Sequence, residues 1–374
     1  MKETLPILVL FAACAALWFV PSAATVADDE VGTLRAKVVQ ADNAEIKLAG
    51  VVEYGTQHLQ VELLEGPLAG HRFRAENELR AQLDIDKKFS VGDSASVAWP
   101  RKGVADGEVL VVRDHFRLGW TAVLFGAFVL LLVLFGGWTG AKALFSFVFS
   151  CFAVWKLLVP LCLNGWSASW VSFATVTLLT AVIMYLVAGA TRKGLAAFLG
   201  AMLGVGASLL LAQFFAAVMH VNGATMPFVQ ALLNAGYADL SISDLFVGSV
   251  ILASSGAVMD LAMDIASAVE EVARHNPELG PGALSRSGIR VGRSVVGTMT
   301  TTLLLAYSGG YLTLLLVFAA QGTRPLDFIN STLVSAELVK TLVGSFGLVL
   351  VAPFTALVSA SLLSGKVKRG GAAS

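Results

Sequence analysis

Cysteine is scarce. The chain has three in 374 residues, Cys14, Cys151 and Cys162. Each sits in an apolar run with neither CxxC nor CxxxH spacing, which excludes a disulfide framework and a cysteine-based zinc site. Charge is scarce as well: 14% of the residues are Asp, Glu, Lys or Arg, against about 25% in soluble domains. The 26 basic residues balance the 26 acidic ones, so no excess of charge points to nucleic acid. No Walker motif, GxGxxG or HExxH occurs, which argues against ATP coupling and zinc-dependent hydrolysis within this chain. His58, His71 and His115 are scattered, and read as surface or strand-end residues rather than ligands. No metal, no cofactor and no enzymatic activity are expected.

Apolar residues, by contrast, make up 56% of the chain, and its mean hydropathy is +0.76. A disordered protein, a coiled coil and an ordinary cytosolic enzyme are excluded on these figures. A bilayer core about 30 Å thick is crossed by roughly 20 residues of helix. Candidate spans lie at 5–20 and near 118–136, 141–163, 168–190, 194–219, 243–270, 293–320 and 332–363. The expected fold is an all-α polytopic membrane bundle of about eight transmembrane helices with a small extracytoplasmic β-barrel-like domain. Four parts follow: an N-terminal anchor or signal-like helix (1–27), the β domain (28–116), a seven-helix membrane domain (117–365) and a basic tail (366–374).

Basic residues set the expected orientation. Lys2, Lys142, Arg192 with Lys193, Arg274 to Arg293, and Lys366 to Arg369 fall on alternate loops. The opposite loops near 164–167 and 220–242 carry neither Lys nor Arg, and 321–331 carries only Arg324. Eight spans then place both termini in the cytoplasm and residues 28–116 outside. A cleaved signal peptide is the alternative for the first span. It leaves seven spans with the same sidedness.

Residues 33–113 change character. Short alternating runs at 33–39, 58–64, 94–99 and 108–112 are separated by turn signals such as Glu65-Gly66-Pro67 and Val91-Gly92-Asp93, the pattern of β-strands. Five or six strands in about 80 residues suggest a small closed barrel of the OB or SH3 type. Such an insert is either a binding module or a cap on a transport path, or else a folded extracytoplasmic insert with a structural role.

Ionisable residues inside spans cost about 2.5–3.5 kcal/mol each on insertion scales, so they are expected to pair or to reach water. Five stand out: Lys156, Asp260, Asp264, Glu337 and Lys340. Ser249, Gly256, Asp260, Asp264, Ser267 and Glu271 share one helical stripe. Ser294, Thr298, Thr301 and Ser308 share another, and Glu337, Thr341 and Gly344 a third, with Lys340 beside it. Three polar faces in successive helices suit a hydrated or proton-carrying path. Interhelical hydrogen bonding and close packing at Gly200, Gly204, Gly344 and Gly347 are the plainer explanation of the small residues. The four- and three-residue spacing of Arg286, Arg290 and Arg293 suggests a short amphipathic helix on the cytoplasmic surface.

Three segments carry a family resemblance: Ser254-Ser255-Gly256-Ala257-Val258-Met259-Asp260, the Thr-rich run 297–310, and Glu337-Leu338-Val339-Lys340-Thr341-Leu342-Val343-Gly344-Ser345. With Glu65–Gly70 and Val91–Asp93 of the outer domain, the whole chain resembles the YibE/F-like family of bacterial multipass membrane proteins. That resemblance implies little about activity. Residues 243–363 also resemble the membrane half of resistance–nodulation–division permeases and SecF-type proteins. This implies a proton-carrying role at Asp260, although Leu261 replaces the adjacent second acid and Asp264 follows one turn later.

The expected function is secondary transport of a small solute or ion across the bilayer, coupled to protons or another ion. Asp260 is the expected acceptor and Lys156 or Lys340 its counter-charge. Asp264 and Glu337 belong to the same relay, and Gly256, Thr298 and Thr301 line the path. The alternatives are a non-transporting assembly, secretion or envelope factor whose outer domain binds a protein, and a passive channel. Two acids on one helix without a GxGD partner argue against an intramembrane protease.

Overall fold

The computed structural model describes residues 31–100 and 109–364. The 5–20 span, with its signal-peptide alternative, and the basic tail lie outside the described residues. Two compact units meet in sequence at Phe135–Gly136.

The first unit holds six strands: β1 (Val31–Asp42), β2 (Lys47–Ala49), β3 (Val52–Leu63), β4 (Arg72–Arg80), β5 (Ser94–Pro100) and β6 (Leu110–His115). Their order is β1-β5-β6-β4-β3-β2, and an added β1–β3 pairing closes the sheet. All pairs are antiparallel except β4 with β6. Five strands thus close a small Greek-key barrel of the OB type, with β2 attached outside the ring. Closure uses a register shift in β1 between Val38 and Gln40, which lets its first half pair with β5 and its second with β3. Gly55, at φ +120°, is required where β3 passes β2, because a side chain there would strike the Glu45 carbonyl.

Alternation fills the barrel. Val38, Leu59, Val61, Leu63, Phe89, Val97, Trp99 and Val112 form its core. One buried polar group, Gln57, is fully served there. Its Nε2 donates to Asn43 Oδ1 (2.7 Å) and to the Phe89 carbonyl (2.8 Å). Its Oε1 accepts from the Phe89 N–H (3.0 Å) and from Asn77 Nδ2 (3.1 Å). The segment after β4 is pinned to the barrel by these bonds. Two strands escaped the sequence reading. β2 is three exposed residues long. In β4 the outward positions are charged and the inward ones include Ala75 and Asn77, so the apolar alternation is faint.

The helices follow in order: α1 (Leu118–Ala153), a π-helical turn (Val154–Leu158), α2 (Val159–Leu163), α3 (Ala168–Ala188), α4 (Arg192–Val218), α5 (Val229–Asn234), α6 (Ile242–His275), α7 (Pro281–Gly310), α8 (Leu312–Ala320), α9 (Pro325–Asn330) and α10 (Thr332–Leu363). Among the described residues, five helices are long and apolar enough to cross a membrane, or six if α7 and α8 make one broken span. Two expectations are refined. The spans expected at 118–136 and 141–163 form one helical run, Leu118–Leu163, interrupted by a non-helical Gly137 (φ 51°, ψ −128°). The 293–320 span is instead α7 followed, across a 66° bend, by α8. The bend follows Gly309-Gly310, a pair with weak helix preference.

In the second unit α6 and α10 are central. α10 packs on α4, α6 and α7, while α6 also packs on α3 and α4. Small residues set these approaches, as the sequence suggested. A β-carbon at Gly200 would overlap Thr355 Oγ1, and one at Gly347 would overlap Ser208 Oγ. Polar contacts mark the two ends of the bundle. At one end Lys193 Nζ lies 3.1 Å from Glu270 Oε2. At the other, Ser169 Oγ donates to Asp244 Oδ1 at 2.5 Å. Arg192 and Leu362 also meet at the first end, where the Arg192 guanidinium donates to the Leu362 carbonyl.

Candidate functional site

Helix α6 carries the two central acids. It starts at a cap, with Ser241 Oγ accepting from the Asp244 N–H (3.3 Å), and ends on Arg274 and His275, which suit the negative end of the helix dipole. Along it Phe246, Val250, Ile251, Ser254, Val258, Leu261, Ile265 and Val269 are buried. The opposite side shows Gly256, Asp260, Asp264 and Glu271 exposed, with Ser249 and Ser267 half-buried. The expected polar stripe is therefore a real face, and it lies on an exposed side of the bundle among the described residues. Asp260 lies about 27 Å along the helix from Ile242, at 1.5 Å per residue. No ion pair of Asp260 or Asp264 occurs among the described residues.

Helix α7 repeats the arrangement. Leu284, Ser285, Gly288, Gly292 and Leu303 face inward. Arg286, Arg290, Arg293, Ser294, Gly297, Thr298, Thr301 and Thr302 are exposed. The three arginines belong to the first turns of this one helix, which corrects the separate surface helix expected from their spacing. Pro281 at the first turn starts the helix, and no proline breaks it before Gly310. The Thr298 and Thr301 hydroxyls donate to their own helix, at the Val295 and Gly297 carbonyls.

The third polar face turns inward. Glu337 and Lys340 of α10 pair with each other at 2.8 Å, with side chains 23% and 17% exposed. Lys340 Nζ also stands 5.7 Å from the Phe246 ring centroid. Its charge is thus answered by Glu337 on its own helix. Nearby, three helices converge on Gly344: a β-carbon there would lie 3.2 Å from both Ser254 Cβ and Leu303 Cδ2, and 3.7 Å from Tyr307 Oη. Tyr307 Oη and Thr341 Oγ1 are buried there without a hydrogen-bond partner among the described residues. The sequence reading did not single out Tyr307 as a site residue. Its place four residues after Leu303, on the buried side of α7, was the available signal. Lys156 is half-buried in the π-helical turn, a segment that packs on α3. Of the expected set, then, the structure brings Glu337 and Lys340 together, and leaves Asp260, Asp264, Thr298 and Thr301 on the outer side of α6 and α7.

The barrel has two hollows of its own. One, of about 350 Å³, lies on β1, β3 and β4 beside His58, whose ring nitrogens are 3.3 Å from Glu45 Oε2 and 3.5 Å from Glu76 Oε1. The other, of about 790 Å³, is lined by Arg35, Asp93, Phe116, Arg117, Trp120 and Leu124 among others. No cluster of three or more His, Cys, Asp or Glu able to hold a metal occurs among the described residues.

Residues 124–365 match the YibE/F-like protein family. The chain belongs to the YibE/F-like family. The match covers both open polar faces and the Gly344 junction of this YibE/F-like protein. It begins after the barrel, so the likeness expected over Glu65–Gly70 and Val91–Asp93 lies outside the matched residues. No curated protein and no solved structure matches the chain.

Proposed function

We propose that this YibE/F-like protein is a secondary transporter of the bacterial inner membrane, driven by protons or another ion. Asp260 is the ion acceptor. Asp264 takes part in the relay, and Gly256, Thr298 and Thr301 line the path. The observation that supports this reading is the pair of acids one turn apart on an open helix face, with no cation partner among the described residues. A carboxylate at membrane depth is expensive when charged, and taking up a proton or cation relieves that cost. Coupling is strong enough: one elementary charge moved through 100 mV is worth about 2.3 kcal/mol. The bundle end bearing Arg192, Lys193, Arg274 and Arg286 is the cytoplasmic one, since basic loops stay inside.

Proteoliposomes test the proposal. Under an imposed pH gradient, uptake from a panel of small solutes and ions is measured for wild type and for Asp260→Asn. The expected result is gradient-dependent uptake of at least one solute, lost by tenfold or more in a variant that still inserts. Equal uptake by both proteins discards the role of Asp260.

A second reading has an observation in its favour. Asp260 faces outward from the bundle rather than into an internal cavity, as a residue would that meets another membrane protein. On that reading the chain is an assembly, secretion or envelope factor, and its barrel binds a protein partner.

A further inference from the structure

We propose that two copies of this chain pack against each other through the open faces of α6 and α7, each completing the other's acid site. The register of the two helices carries the inference. A β-carbon at Gly288 would lie 2.7 Å from Val269 Cγ2, and one at Gly292 would lie 3.3 Å from Ile265 Cδ1. Leu303 and Ser254 meet at Gly344. The helices therefore run antiparallel, and equal rise fixes which residues share a level. Arg286 is level with Glu271, Arg293 with Asp264, Gly297 with Asp260, and Thr301 with Gly256. All eight are exposed.

A two-fold axis along the membrane normal brings residues of equal depth together, in a self-complementary contact. It sets α6 of one copy against α7 of the other. Asp264 then meets the second copy's Arg293, and Asp260 meets the gap over Gly297. Neither Asp264 nor Arg293 has an ion-pair partner in its own chain among the described residues. The glycines agree. Gly200, Gly204, Gly288, Gly292, Gly344 and Gly347 all meet atoms of a neighbouring helix, whereas β-carbons at Gly256 and Gly297 would meet nothing within 4 Å. Small residues permit close approach of membrane helices, and among the described residues these two have no helix of their own chain to admit. The occupant is a second copy because one surface supplies both signs of charge and both glycines at matched depths.

Association is the readout, so the result is separable from the transport reading: a transporter acting as a single copy gives flux without cross-linking. In full-length protein whose native cysteines are Ser, Asp264→Cys on one tagged copy is co-expressed with Arg293→Cys on a differently sized copy, and membranes are oxidised. The expected product is a disulfide-linked pair containing one of each, absent when the cysteines replace outward-facing Leu210 and Leu357. In lipid nanodiscs, mass measurement should show two wild-type copies, and Gly297→Leu should cut the paired fraction at least tenfold while the single copy stays folded. A wild-type protein that is single in nanodiscs, whether alone or with another protein on this face, overturns the proposal. So does the absence of the mixed disulfide, or a paired fraction that Gly297→Leu leaves intact.

Discussion

Asp86 shows how one carboxylate holds a strained turn. Ala81, just after β4, has φ 62°, a conformation that costs a non-glycine residue roughly 1–2 kcal/mol. On either side of it the N–H groups of Arg80 and Gln82 donate to Asp86 Oδ2, at 2.9 and 2.7 Å. Desolvation pushes the Asp86 carboxyl up, but these backbone bonds and the Arg80 charge together outweigh it, and the group titrates below the ordinary carboxylate range. Asp114 behaves likewise: desolvation raises it, while the His115 N–H, Arg117 and Lys87 pull it down further than that. A carboxyl depressed by folding adds stability above its unfolded value, about 3.9, and loses it as pH falls through the folded value. Barrel unfolding, followed by tryptophan fluorescence in nanodiscs, should therefore have a higher midpoint at pH 5 than at pH 3. Asp86→Asn should lower the midpoint at pH 5 and flatten the difference. A wild type equally stable at both values would contradict the clamp.

At the scale of elements, the glycines separate into two classes with opposite expectations. Gly347→Val should destabilise the bundle, since its first side-chain atom already overlaps Ser208 Oγ; overpacking of this kind typically costs about 1–3 kcal/mol. Gly256→Ala meets open space among the described residues and should hold or raise the single copy's thermal midpoint, since Ala favours helix over Gly. Both are read by heating detergent-solubilised protein and measuring the monodisperse fraction; equal midpoints would refute the division. Hydropathy made the apolar helices at 168–190, 194–219, 243–270 and 332–363 legible, but it gave no sign that 118–136 and 141–163 form one run or that 293–320 bends by 66°. Close approach at Gly200 and Gly347 was legible too, since little else explains glycine inside a helix. The direction of the acid stripe was not. A stripe through Gly256, Asp260 and Asp264 says that the three share a face, but the rest of α6 mixes apolar residues with Asp244, Ser254, Ser255 and Glu270, so the pattern does not say which side is packed. Only packing against α3, α4, α7 and α10 shows that the stripe is the side left open. The Glu337–Lys340 pair was legible as two neighbouring charges; their closure on each other depended on rotamers that spacing does not give.

At the scale of the whole molecule, the two units have separate cores. The barrel core, centred on Val38, Val61, Phe89 and Val97, shares no residue with the bundle core around Ile251, Leu261, Ile265 and Ala356. The family match starts at residue 124, beyond the last strand. A bundle whose packing needs nothing from the barrel should survive its loss. Deleting residues 31–113 should therefore give a protein that inserts and runs as a monodisperse species on size-exclusion chromatography, with Lys193 and Glu270 still joined at one end of the bundle and Ser169 and Asp244 at the other. Aggregation of that variant would refute independence. Once it is folded, its activity divides the two functional readings. If α6 and α7 carry ions, gradient-driven uptake persists without the barrel and is lost with Asp260→Asn. If the barrel is a docking module, deletion abolishes function while Asp260→Asn leaves it standing.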